Sequence, residues 1–223
     1  LIRGPKILLV EGDADKLFFQ ACCDAANIPE GDVCIAPPTE VNNRRAGKMN
    51  AIDLLPGLIA QMHDGSVTHL AIIVDADYAS KNGLGFDGTW QKITTILSDA
   101  KYNVPDKPEK NQNGFIFSHS QGLPSVGVWI MPNNGSTGFL EDFVKSTIRQ
   151  TEKKFFKYAT DAVNGLAERR FPSHHQTKAE IATWLAWQKT PGQTLASVVR
   201  NNFVELKSGQ GKSFLDWLKS IYK

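Results

Sequence analysis

Apolar side chains first gather in residues 6–10 (KILLV), a short branched run that predicts a strand buried on both faces. The period then changes. Leu17, Phe18, Ala21, Cys22, Ala25 and Ala26 recur at three and four residues, predicting a helix that starts at Asp13 or Ala14 and ends at Asn27 and Pro29. Residues 32–36 (DVCIA) predict a second strand closed by Pro37 and Pro38. A polar, basic loop follows over 42–48, then a helix over 49–62 kinked at Pro56-Gly57. Residues 69–74 predict a third strand, ending in Asp75-Ala-Asp77. After a loop to Gly88, a helix runs over 90–101. Two further strands, 114–118 and 126–131, flank a turn at 121–124, and a helix opens near Gly138. Beyond 145 the spacing is helical, with segments near 150–166, 177–188, 193–202 and 211–222. Strand–helix alternation to about 144 predicts an α/β fold with a mostly parallel sheet flanked by helices. The expected division is 1–144 as the α/β domain and 145–223 as a helical elaboration packed on it, or the two as one single domain.

Composition narrows the class. With 223 residues, 41% hydrophobic and 22% charged, the chain is neither disordered nor a coiled coil. Its longest apolar run, residues 70–74, has five residues against the roughly 20 of a membrane span, so no membrane partner is expected. The first residue is Leu rather than Met, so a trimmed or disordered leader is expected before it, and no signal-peptide pattern stands in these residues. Cys22, Cys23 and Cys34 form no metal or disulfide motif, and point to a reducing, cytoplasmic location. Charge is uneven. Residues 1–142 hold 11 Lys and Arg against 17 Asp and Glu, whereas residues 143–223 hold 14 against 6. An acidic half suited to cations thus precedes a basic half suited to phosphates, unless both are scattered solvated surface. Lys153, Lys154, Lys157, Arg169 and Arg170 either track a nucleic-acid backbone or serve solubility.

The candidate chemistry lies where strands end in acids. Glu11 follows the first strand, and Asp75 and Asp77 follow the third. In open α/β sheets ligands collect at the carboxyl ends of strands. If these two strands are neighbours, the three carboxylates meet on one edge. Gly12 is expected to permit a tight turn and close ligand approach. Like charges about 4 Å apart cost several kcal/mol at an intermediate dielectric, so a proton or a divalent cation must relieve them. All-oxygen ligands suit Mg²⁺ or Mn²⁺, which polarise a phosphodiester. Capping or turn roles for Asp75 and Asp77 stay open. Asp13 is read as the N-cap of the first helix, with Asp15 in its first turn. Lys48, at a helix start, is a candidate for a substrate phosphate together with Arg44 and Arg45, a solvated loop being the alternative.

Val10-Glu11-Gly12-x-x-Asp15, followed by Ile73-Val74-Asp75-x-Asp77, resembles the Toprim domain, the metal-binding fold of topoisomerases, bacterial primases and overcoming-lysogenisation-defect type nucleases. Residues 126–144 (VGVWIMPNNGSTGFLEDFV) and 178–187 (KAEIATWLAW) are similar to a small, uncharacterised bacterial Toprim-related family, a domain of unknown function, over roughly residues 5–220. The resemblance implies a Toprim/Rossmann-like sheet. It implies Glu11 as metal ligand or general acid/base, Asp75 and Asp77 as the metal pair, and Asp15 and Glu141 as supporting acids. The chain has neither the nucleophilic tyrosine domain of a topoisomerase nor the zinc module of a primase, so the resemblance points to a nuclease acting on nucleic acid.

Other motifs fail. Gly209-Gln-Gly211-Lys212-Ser213 lacks the leading glycine of a P-loop, because position 206 is Leu. His174 and His175 are adjacent and lack the spacing of a helical zinc pair. A receiver domain would need a second acid where Gly12 stands. Two functions therefore remain: metal-dependent phosphodiester hydrolysis of nucleic acid, or a non-catalytic module binding a nucleotide, nucleic acid or protein partner. Oligomeric state is not encoded in any pattern seen.

Overall fold

Side chains that alternate along a buried strand must find apolar partners on both sides of the sheet, and this requirement builds the layers. The computed structural model describes residues 4–42, 45–79, 83–107 and 110–223. Its five strands are β1 (Lys6–Leu9), β2 (Cys34–Ala36), β3 (His69–Asp75), β4 (Phe115–Phe117) and β5 (Val126–Met131). They lie in the order β2-β1-β3-β5-β4. All pairs are parallel except β4–β5, an antiparallel edge with Phe115 opposite Val128. The α/β architecture with a mostly parallel sheet is therefore as expected.

Leu8, Val10, Ala71, Ile73 and Trp129 point to one face. They meet α1 (Asp13–Ala25), α6 (Leu140–Thr147), α8 (Gln176–Ala186) and α10 (Gly209–Tyr222). Ile7, Leu9, Leu70, Ile72 and Val74 point to the other, against α4 (Leu55–His63) and α5 (Gly85–Asp99). The helices beyond 145 share the first core directly. Phe214 and Trp217 of α10 pack on Trp129 at 5.0 and 5.4 Å between ring centroids, and the Tyr222 hydroxyl donates to the Ile7 carbonyl at 2.6 Å. Gly127 admits this layer, because a Cβ there would meet Ile221 Cδ1 at 2.2 Å. No helix among the described residues is long and apolar enough to cross a membrane.

Several local expectations change. Residues 49–62 form two helices, α3 (Lys48–Ile52) and α4, rather than one kinked helix; Pro56 sits in the first turn of α4, where its missing N–H costs no hydrogen bond. A short helix, α2 (Pro38–Asn42), occupies a stretch read as irregular, with Pro38 at its first position. α7 (Gln150–Asn164) matches its pattern, whereas the 193–202 segment contains only α9 (Ser197–Arg200). Asp13 is the first helical residue of α1, the N-cap being Gly12.

Candidate functional site

After β1 the chain crosses through α1 to β2 on one side, and the following crossover brings β3 to the other side. The crevice between β1 and β3 is thus a topological switch point, the place where open α/β sheets bind ligands. Glu11 and Asp75 sit at it. Because β3 extends beyond β1, the Asp75 N–H reaches back and donates to Glu11 Oε1 at 2.7 Å. Asp75 in turn accepts the Leu140 N–H on Oδ1 at 2.8 Å, so it caps the first turn of α6 across 65 residues of chain.

Three acids here are held away from their ordinary ionisation. Burial, with the Asp15 and Asp77 charges, lifts Glu11 from 4.5 to about 7 against the opposing Asp75 N–H and Lys48. Burial and the Glu141 charge lift Asp15 from 3.8 to about 6, opposed by a backbone hydrogen bond from Gly12 and by Lys178. Burial, then Glu11, pushes Asp75 well above the usual carboxylate range. Such concentrated unfavourable charge marks functional sites more often than structural ones.

A raised carboxyl pKa means that the folded state holds its proton more tightly than the unfolded chain. The stability contributed by Glu11 is therefore complete below 4.5 and is lost as pH rises through about 7. In chelator, thermal unfolding of the wild type is expected to lose stability between pH 5 and pH 8 relative to Glu11→Gln, on the order of 2 kcal/mol. Parallel pH profiles of the two proteins would contradict this.

Asp77 and Lys48 have different tasks from the other acids. Asp77 takes a left-handed conformation (φ 59°) and pairs backbone to backbone with Gly138. Gly138 has φ 143°, and a Cβ would meet Asp142 Oδ2 at 2.7 Å, so only glycine fits. The Lys48 side chain is 8% exposed. Its ammonium pairs with Asp77 Oδ2 and donates to the Asp75 and Ala76 carbonyls, each at 3.1 Å, and to Thr89 Oγ1 at 3.2 Å. Lys48 thus holds the β3 terminus from within. Arg45 is exposed, and Arg44 lies outside the described residues. Gly12 has extended backbone (φ −163°) that any residue can adopt, so a tight turn is not why glycine stands there.

Glu141, on the first turn of α6, pairs with Lys178 of α8 at 3.0 Å. A second ion pair, Lys145–Glu180 at 2.6 Å, crosses the same two helices and fixes their relation. Lys178 also lies 4.2 Å from the Phe139 ring centroid. Burial would lower its pKa, but attraction from Glu141, Asp75 and Asp15 outweighs that and raises it. Asp15, Asp75, Glu141 and Lys178 line a pocket of about 320 Å³ together with apolar residues such as Ile181 and Leu195. Among the described residues, no three His, Cys, Asp or Glu side chains are gathered closely enough to hold a metal ion as they stand.

Lys178 escaped the sequence reasoning as a charge, although it opens the 178–187 segment, because nothing local shows that α8 returns to the switch point. Tyr78 and Phe139 carry no local signal for the same reason, and His174 and His175, unsuited by their spacing to zinc, join them in the same region. No curated protein and no solved structure matches the chain. A family model described as "Protein of unknown function (DUF3226)" matches residues 5–223. The chain belongs to that family of proteins of unknown function.

Proposed function

We propose that this protein hydrolyses phosphodiester bonds of nucleic acid in a reaction that uses Mg²⁺ or Mn²⁺ at the Glu11–Asp75 crevice, a Toprim-type chemistry. The observation that carries the reading is the gathering of three half-buried acids, Glu11, Asp15 and Asp75, at a switch point, each raised by desolvation and by neighbouring carboxylates. Asp15, Asp75 and Glu141 offer the carboxylate oxygens that a hard divalent cation takes, with Asp75 Oδ2 free of the bond that occupies Oδ1, and these side chains would have to draw together to hold one. Asp77 stands behind them, with one oxygen committed to Lys48. When bound, such a cation polarises a phosphodiester and stabilises charge on the leaving oxygen.

The protein's own groups supply the rest. Glu11, with its proton affinity near neutrality, takes a proton from the attacking water as the new P–O bond forms. The old P–O bond breaks as the new one forms, and the leaving oxygen, departing on the opposite side, takes its proton from solvent. Lys178 places an ammonium beside Glu141 and in the field of Asp15 and Asp75, where a phosphate oxygen would find it. The resemblance of the Glu11 and Asp75-x-Asp77 motifs to Toprim domains supports the same reading. One observation favours the non-catalytic binding module: Lys178 and Lys48 pair with Glu141 and Asp77 and so balance the charge of those two acids.

Asp75→Asn discriminates. An Asn Oδ1 can still accept the Leu140 N–H, so the α6 cap survives while the buried charge disappears. The variant is expected to melt higher than wild type in chelator at pH 8, at about 2–4 °C per kcal/mol gained. Calorimetric titration of Mn²⁺ should be saturable for wild type and weakened at least tenfold by Asp75→Asn, about 1.4 kcal/mol. No saturable binding to wild type, or equal binding to both, returns the acids to structural duty and favours the binding module.

A further inference from the structure

Beside the acids stands a group of rings that the proposed hydrolysis does not use. Tyr78 directly follows Asp77, and a 3-10 turn, Ser173–His175, brings His174 against Tyr78 and His175 against Phe139. Ring centroids lie 5.4 Å apart for Tyr78 and Phe139, 6.0 Å for Tyr78 and His174, 5.7 Å for Phe139 and His175, and 4.4 Å for His174 and His175. Phe139 is buried and forms the floor, whereas Tyr78, His174 and His175 are only half-buried. His175 lies in the fields of Glu141 and Asp77, which places this rim next to the carboxylates.

Tyr78, His174 and His175 remain partly open to solvent beside the Lys178–Glu141 pair, whose ammonium lies 4.2 Å from the Phe139 centroid. The segment entering the turn carries Arg169 and Arg170. Arg169 is held beside the turn by Gln176 Oε1 at 3.1 Å, and the Arg170 side chain is 91% exposed. Arg169 and Arg170 enter the turn that carries the two histidines, and the rings stand beside Lys178 and Glu141. Backbone-tracking cations combined with aromatic faces are what proteins use to hold unpaired bases. A duplex keeps its bases stacked internally and cannot offer them to such faces.

We propose that Tyr78, His174 and His175 form a stacking platform for the unpaired bases of single-stranded nucleic acid, making a single strand the substrate class of this site. The inference rests on the hydrolytic reading for its chemistry but is measured apart from it. Fluorescence anisotropy in EDTA, where no cleavage occurs, would compare a roughly 15-nucleotide fluorescein-labelled oligo(dT), its oligo(rU) counterpart and a duplex of equal length. At least one single strand is expected to bind tenfold or more tightly than the duplex. Tyr78→Ala and the double variant His174→Ala/His175→Ala should each weaken that binding at least tenfold, and Tyr78→Phe should retain it. Equal affinity for duplex and single strands, or unchanged single-strand affinity in both alanine variants, overturns the platform. Failure there leaves the Mn²⁺ titration to judge the hydrolytic reading. Failure of the titration with the ring effects intact leaves a single-strand binder without this catalysis.

Discussion

Lys48→Met is expected to destabilise the protein by about 3 kcal/mol, the lower end of what breaking a buried ion pair costs, because Asp77 keeps partial access to water. For a chain of this size that is a fall in melting temperature of roughly 6–12 °C. Met replaces most of the volume but none of the donors. The Asp77 carboxylate would lose its counter-charge, and the Asp75 and Ala76 carbonyls and Thr89 Oγ1 would lose the ammonium that binds them. A double variant, Lys48→Met/Asp77→Asn, removes the stranded charge and should recover part of the loss, so the coupling can be read from the cycle. A loss below about 1 kcal/mol for the single variant would show that Lys48 does not hold the end of β3. The position of Asp75 depends on that same strand end, so Lys48→Met should also weaken Mn²⁺ binding although Lys48 itself carries no ligand oxygen.

Glu11→Gln carries the largest expected kinetic effect. A positioned proton acceptor contributes on the order of 10²–10⁴ in rate, and the amide cannot accept the proton of the attacking water. Cleavage of a single-stranded oligonucleotide in Mn²⁺ should therefore fall at least a hundredfold in kcat. The Gln side-chain oxygen can still receive the Asp75 N–H that Glu11 Oε1 now receives, so the strand ends should keep their spacing. Single-strand affinity in EDTA should then stay within about twofold of wild type. A variant that cleaves as well as wild type removes Glu11 from the reaction. One that loses binding and cleavage together would mark Glu11 as a folding residue, and the unfolding profiles at pH 5 and pH 8 would report that independently.

Much of the fold is readable before any coordinates. Residues 7–10, 70–74 and 128–131 are unbroken apolar runs because β1, β3 and β5 are covered on both faces, and burial on both faces leaves no polar position to interrupt them. α1 is equally plain, since Phe18, Ala21 and Cys22 keep a helical period against one core. Glu11 and Asp75 are legible as candidates because an acid that ends a buried strand has nowhere to go but the sheet edge. Short elements were not legible: α2 and α9 have too few residues to display a period, and Pro56, which stands in the first turn of α4, reads equally as a kink within one longer helix.

The sequence by itself determined the strand runs, their helical crossovers and the acids that terminate them, because each depends on neighbours close along the chain. Tertiary structure alone decided what those acids face. Lys48 reads as a free loop cation until the fold closes over it, and Lys178 reads as an ordinary helix lysine until α8 returns to α6. Asp75 caps a helix that begins far downstream, and two histidines with no metal spacing become part of an aromatic rim. Charge and stacking act through space over a few ångströms, and sequence separation does not measure that distance.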